Sequence, residues 1–267
     1  MRIITLIENL VYSKNLLAEH GLSLYIETGN RKVLFDTGQT SHFIHNASVL
    51  GIDLTAIDAV VISHGHYDHT GGLYPFLKIN NRAQVHIKKE AFYPKYHGAD
   101  KFIGINYDAV LDKRVIYVNH PIQLDDDLYI MPDIPVLNMA DTNFDQLKIK
   151  TSDGLIDDMF DDELYLAITA NKKLSVISSC SHRGIINIML AAKARFSLPV
   201  NTILGGFHIR NNSDAQMDSL IRYLKELSPK AIGICHCTGV EKYAELACHF
   251  KDKVFYNYTG NVVLVSD

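Results

Sequence analysis

The chain has 267 residues, 47% hydrophobic and 21% charged, which places it among globular proteins and excludes a disordered or collagen-like one. A balance of 26 basic against 30 acidic residues, net charge −4, removes any global electrostatic case for a nucleic-acid or membrane-surface partner. Four cysteines crowded into the C-terminal third do not make a secreted disulfide framework. The N-terminal run MRIITLIENLVYSKN is broken by Glu8 and has no small-residue cleavage site, and no stretch approaches the ~18 apolar residues of a spanning helix, so a cytoplasmic protein is expected.

Following the chain, Leu22, Leu24 and Ile26 alternate with Ser23, Tyr25 and Glu27 ahead of a Gly29-Asn30 turn and RKVLFDTG. This reads as a β-hairpin with one face buried. Thr40–Leu50 is helix-like and stopped by Gly51, and Ala59–Ser63 is a short apolar run of the kind found in a strand covered on both faces. The acidic stretch Asp153–Glu163 lacks EF-hand spacing and reads as a solvated loop, as does Asp125–Asp127. Further on, ELYLAIT and KLSVISSC pair across Ala170-Asn171-Lys172. Helices are expected over about Ile185–Phe196, Asp214–Leu227 and Glu241–Phe250, and strands over Val200–Leu204 and Ala231–Cys235. Hairpins followed by strand-turn-helix units, twice over and with no linker or repeat, suit one α/β domain over residues 1–267 with helices outside two packed sheets.

Thirteen histidines are the compositional outlier, and six of them are placed rather than scattered. HGHYDH follows the strand AVVIS and precedes Thr70-Gly71-Gly72, so His64, His66, Asp68 and His69 sit on a strand end and the turn beyond it. Nitrogen and carboxylate donors of this kind suit zinc, manganese or iron better than calcium or magnesium. Three more histidines end apolar strands in the second half: His182 in VISSCSHRG, His208 in TILGGFHIR and His236 in IGICHCTG. Ligands at the carboxyl ends of strands are where open α/β layers bind. His20, His42, His45, His86, His97, His120 and His249 have no such context and read as ordinary surface or core residues. Cys180, Cys235 and Cys237 flank His182 and His236, so thiolate ligation has to be weighed. CHC is not a zinc knuckle, however, and a strand continuing through ICHC would turn Cys235 and Cys237 away from His236 into the core.

The series LFDTGQ, VISHGHYDHTGGL, CSHRGIIN, GGFH and HCTG resembles the metallo-β-lactamase superfamily over nearly the whole chain. In detail it is similar to the subgroup named for 7,8-dihydropterin-6-methyl-4-(β-D-ribofuranosyl)aminobenzene 5′-phosphate synthase. The resemblance implies a four-layer αβ/βα sandwich with a dinuclear centre at one edge. His64, His66 and His182 would hold one divalent ion, and Asp68, His69 and His236 the other; zinc is the first choice, manganese or iron the alternatives. Asp36 of FDTG would orient the ligand loop through hydrogen bonds. The superfamily often supplies a bridging Asp where this chain has His208. An imidazole has one free lone pair and cannot bridge, which makes His208 a terminal ligand, a hydrogen-bond partner of water or substrate, or a general acid.

Two divalent ions about 3.5–4 Å apart activate water and stabilise charge on attacking and leaving oxygens. Arg183, Arg210 and the helix starts after Gly72, Gly184 and Gly239 offer charge and free N–H groups to an anion, so a phosphorylated or carboxylated small molecule is the expected substrate, with Asp68 and His208 as catalytic candidates. The reaction would be displacement of pyrophosphate, as in the synthase subgroup, or hydrolysis of a phosphodiester, lactone or other ester. The same donors would also serve an iron redox protein or a non-catalytic metal-binding protein. The sequence carries no signal for oligomeric state.

Overall fold

The computed structural model describes residues 1–265; residues 266 and 267, the end of the expected domain, lie outside it. Among the described residues the strands form two seven-stranded sheets and a four-stranded one. The first sheet runs, edge to edge, Val262–Leu264, Arg2–Ile7, Ser23–Glu27, Lys32–Phe35, Ala59–Val61, Gln84–Ile87 and Val115–Tyr117. The second runs Val254–Tyr256, Ala231–Ile234, Val200–Gly205, Leu174–Ser178, Tyr165–Ile168, Leu128–Met131 and Ile122–Asp125. The helices are α1 (His42–Val49), α2 (Tyr67–Thr70), α3 (Leu73–Ile79), α4 (Ile185–Phe196), α5 (Asp214–Leu227) and α6 (Val240–Phe250).

Strand side chains alternate between faces, so each strand serves two apolar layers. Leu24, Ile26, Val33 and Phe35 pack with Leu166, Ile168, Ile177 and Leu204 between the two large sheets. From the same strands, Tyr25 and Leu34 join Phe43 and Ala47 of α1 and Phe76 of α3 on the outside of the first sheet. Val176 and Ile203 join Met189 of α4, Leu220 of α5 and Leu246 of α6 on the outside of the second. Helix, sheet, sheet, helix is therefore the layer order, the four-layer sandwich expected. The hairpin at Ser23–Phe35 departs from expectation in one respect: Ser23 and Tyr25 are buried as well as Leu24 and Ile26, because α1 covers the face that was expected to meet solvent. No helix among the described residues is long and apolar enough to cross a membrane.

The third sheet, Gly154–Asp157, Leu147–Thr151, Lys95–His97 and Lys101–Phe102, was not anticipated. Its strands are short and their patterning mixed, so no period of two stands out. It carries Ile103, Leu147 and Phe160 as a small apolar cluster against Tyr67 of α2 and Phe144, beside the histidines.

The acidic stretch beside it is not a solvated loop. Asp158, Asp162 and Glu163 are buried. Lys95 Nζ, itself with a side chain 1% exposed, sits 2.5 Å from Asp158 Oδ2 and 3.0 Å from Asp162 Oδ1. A cation arriving from 63 residues upstream turns an apparently solvated acidic run into a buried ion cluster.

Asp141 illustrates a related effect. Its Oδ2 accepts the Ile186 and Asn187 N–H groups, capping α4 and filling an N-terminus that the sequence left open for a substrate anion. Burial pushes its pKa up to about 7. A folded pKa above the unfolded value of 3.8 means that the native state holds the extra proton between the two. Stability from this group therefore falls as pH rises from about 4 to about 7, then levels. For the metal-free protein, the difference between wild-type and Asp141→Asn unfolding free energies is expected to change by up to about 4 kcal/mol across that window. Denaturant midpoints measured at several pH values would show it; parallel profiles for the two proteins would refute it.

Candidate metal centre

The strands Ala59–Val61, Leu174–Ser178, Val200–Gly205 and Ala231–Ile234 run parallel within their sheets and deliver His64, His182, His208 and His236 from their carboxyl ends. His66 caps α2, whose single turn carries Asp68 and His69. Gly65 between the first two histidines cannot be larger, since a Cβ there would meet the Ala91 carbonyl oxygen at 2.0 Å. Asp36, Ser181, His208 and His236 all have φ between 52° and 59°, a left-handed backbone that side chains other than glycine seldom adopt. Local strain of this kind collects at functional sites.

The histidines converge. Ligand-type atoms of His64, His66 and His182 lie within 4.8 Å of one another. Asp68 Oδ2 lies 3.5 Å from His69 Nε2 and 3.4 Å from His236 Nε2. His208 packs its ring 4.3 Å from that of His182. The sequence-predicted ligands thus come together at one place.

Four of the rings are oriented from behind. His182 Nδ1 is 3.2 Å from the Asn143 carbonyl oxygen and donates to it, which leaves Nε2 unprotonated. His69 Nδ1 donates to Asp36 Oδ2 at 2.9 Å. Ser63 Oγ donates to Asp36 and therefore accepts from His64 Nδ1 at 2.8 Å, freeing His64 Nε2, which faces His66 Nδ1 at 3.2 Å. His236 Nδ1 donates to Asn9 Oδ1 at 3.0 Å. Partners of this kind fix tautomers and aim lone pairs. Phe160 stacks on His182 with centroids 3.8 Å apart.

The buried donors fit a metal on their own chemistry. Nε2 of His66, His182 and His236 and Nδ1 of His208 are buried without a hydrogen-bond partner. Burial pushes the pKa values of His64, His66 and His182 well below the ordinary range, so these imidazoles are neutral, the state in which they ligate. Around His69 burial acts downward too, but the Asp68 and Asp36 carboxylates outweigh it and hold the ring up at about 10. Burial likewise opposes a charge on His208, and the Cys237 sulfur beside it pushes the other way, raising its pKa.

Several residues of the site went unread in the sequence. Glu8, noted only as a break in an apolar run, is buried and accepts the His236 N–H at 2.6 Å and the Tyr256 hydroxyl at 2.8 Å. His20, which has no motif around it in the sequence, lies with Nε2 3.2 Å from Asp68 Oδ2, while its Nδ1 accepts from Asn9 Nδ2 at 3.4 Å. The chain His236–Asn9–His20–Asp68 therefore orients two ligand-type side chains at once. Asn9→Ala is expected to weaken zinc uptake by the metal-free protein about 10- to 100-fold. Competition with a chromophoric chelator reads this, and unaltered affinity would remove Asn9 from the role. Asp162 Oδ2 accepts the Gly65 N–H and Glu163 accepts those of His182 and Arg183, so the acidic stretch holds both histidine loops. Burial lifts the Glu163 pKa to about 7.

Cysteine placement also differs from expectation. Cys235 is buried in the core between the sheets, as expected, but the strand stops at Ile234 and a 3₁₀ turn begins at His236. Cys237 is therefore swung into the site rather than away from it, where it lines the same cavity as Cys180, His208 and His236.

Two adjoining cavities of about 290 and 260 Å³ share His20, Asp145, His208, Asn211, His236 and Cys237. Arg210 lines one and Lys101, from the unanticipated sheet, the other. Arg183 faces elsewhere. Its Nε donates to the Ile134 carbonyl at 2.8 Å and its Nη1 to Met159 O and Asp161, in a cleft of about 660 Å³ on the far side of Phe160 and Glu163. Arg183, the residue after His182, thus leaves the cluster.

Comparison with known proteins agrees with this fold. The family model described as the metallo-β-lactamase superfamily matches residues 17–144. A solved metal-dependent hydrolase of the β-lactamase superfamily superposes with a TM-score of 0.89 at 31% identity, covering 100% of both chains. An uncharacterized protein of Methanocaldococcus jannaschii is 29% identical over 265 residues, 97% of this chain and 98% of that one. From the same organism, 7,8-dihydropterin-6-methyl-4-(β-D-ribofuranosyl)-aminobenzene-5′-phosphate synthase is 27% identical over 285 residues, 98% of this chain and 96% of that one. With the fold, the HGHYDH turn and full-length similarity in agreement, the chain belongs to the metallo-β-lactamase superfamily.

Proposed function

We propose that the protein is a metal-dependent enzyme acting on a phosphorylated small molecule. His64, His66 and His182 would hold one divalent ion and Asp68, His69 and His236 a second, zinc being the first choice. The observation that carries this reading is the set of buried imidazole nitrogens without partners, converging with Asp68 on one cavity. When bound, such ions supply Lewis acidity toward oxygen and stabilise charge on attacking and leaving groups.

The chain's own residues supply the rest. Arg210 and Lys101 place positive charge at the cavity walls for a phosphate. His208, with Nδ1 buried and unpartnered at the cavity, is placed to give or take a proton at a leaving oxygen. His20 donates to Asp68 and keeps its carboxylate turned inward. Similarity to the synthase favours displacement of pyrophosphate from a dihydropterin methyl carbon by an aryl amine. The solved hydrolase favours a second reading, hydrolysis of a phosphodiester, lactone or other ester at the same side chains.

Metal-loaded protein offered a pterin methyl diphosphate with an aryl amine phosphate, and separately a panel of esters, tells the two apart. Release of pyrophosphate is expected; turnover confined to esters would move the assignment to the hydrolase. Equal turnover by chelator-stripped and metal-loaded protein would refute both.

A further inference from the structure

We propose that Cys180 is a metal ligand of this centre, its thiolate lying between the two histidine sets and supplying the negative charge that His208 cannot. The inference rests on the metal-dependent reading above and goes beyond it in naming a sulfur donor. Cys180 is the side chain common to three ligand-type sets, each with its atoms within 4.8 Å of one another: with His64 and His69, with His182 and His208, and with His236 and Cys237. Those sets span both halves of the centre. Cys180 Sγ stands 3.2 Å from His69 Nε2, and the residue is buried.

Spacing and charge both favour ligation. Zinc–sulfur and zinc–nitrogen bonds of ordinary length put tetrahedral donors about 3.5 Å apart, inside the separations found here. Among the described residues, the ligand-type sets of the centre contain one carboxylate, Asp68, grouped with His20 and His236. Two divalent ions held by imidazoles and a single carboxylate would be poorly neutralised. A thiolate has lone pairs to share between two ions, whereas an imidazole has one. Ligation replaces the S–H bond by a metal–sulfur bond and releases the proton to solvent. Were Cys180 only a small core residue, its sulfur would be expected among apolar side chains, as Cys235 is. Its surroundings are imidazoles and a second thiol.

Cobalt(II) added to the metal-free full-length protein reads the donors directly. Wild type and Cys237→Ser are expected to show near-ultraviolet sulfur-to-cobalt charge transfer together with the visible bands of bound cobalt. Cys180→Ser should lose the charge transfer and bind the second cobalt at least tenfold more weakly. Because a variant can fail to fold, X-ray absorption on the wild type gives an independent reading, with a sulfur neighbour expected at about 2.3 Å. Bound cobalt with nitrogen and oxygen neighbours only, or charge transfer that survives in Cys180→Ser and vanishes in Cys237→Ser, would overturn the assignment while leaving a metal centre in place. No cobalt uptake at all would overturn the metal reading with it.

Discussion

Replacing Lys95 by methionine is expected to destabilise the protein by about 3–5 kcal/mol, the cost of removing one partner from a buried ion cluster. The magnitude follows from what is left behind. Asp158 and Asp162 stay buried, committed by Asp158 Oδ1 to the Phe160 N–H and by Asp162 Oδ2 to the Gly65 N–H, and neither retains a cation. In the wild type, burial alone would lower the Lys95 pKa, but the Asp162 and Asp158 charges outweigh it and raise it, so the ammonium is fully charged at neutral pH. The loss should be partly recovered in acid. Burial already raises the Asp158 pKa, and without Lys95 that carboxyl binds its proton more tightly folded than unfolded, so stability then falls as pH rises. Because Asp162 and Phe160 border His64, His66 and His182, metal uptake should weaken in the same variant. A denaturant midpoint equal to that of wild type would show that the cluster contributes nothing.

Asp36→Ala should combine a loss of about 3 kcal/mol or more with metal affinity about 10- to 100-fold weaker. Asp36 accepts from the Ser63 N–H at 2.7 Å, Ser63 Oγ at 2.7 Å, His69 Nδ1 at 2.9 Å and Ser179 Oγ, all buried. One carboxylate thus ties the HGHYDH turn of the first sheet to the loop before His182 in the second. Its φ of 59° adds a backbone cost for alanine, which tolerates the left-handed region less well than Asp or Asn. Asp36→Asn separates the two effects: it keeps the backbone and an acceptor for Ser63, so stability should largely return. An amide lacks the negative charge that holds the His69 ring, so affinity should not return with it. Full recovery of zinc affinity in Asp36→Asn would reduce Asp36 to a structural role.

What could be read in the sequence was local. HGHYDH on a strand end, and His182, His208 and His236 after apolar strands, depend on residues a few positions apart, and the strands deliver them together. The spans of α4 and α5 are legible for the same reason, with amphipathic periods and clear stops. What was missed depends on distant chain. Lys95 converts Asp158 and Asp162 from solvated acids to a clamp, and no short window contains both partners. Glu8 and His20 reach the site because the Arg2–Ile7 strand and the segment before Ser23 end beside the His236 loop. A glutamate interrupting RIITLIENL was a visible sign that something polar awaited it. Cys237 faces the site because the strand ends at Ile234 rather than continuing through ICHC, and one turn of 3₁₀ helix reverses which side a residue faces.

The proposal that the buried histidines and Asp68 hold divalent metal is tested most directly by calorimetric titration of chelator-stripped protein with zinc. Two ions per chain are expected for wild type and one for either His64→Ala/His66→Ala or Asp68→Ala/His236→Ala. Absence of uptake by folded wild type, or two ions still taken up by both double variants, would contradict it.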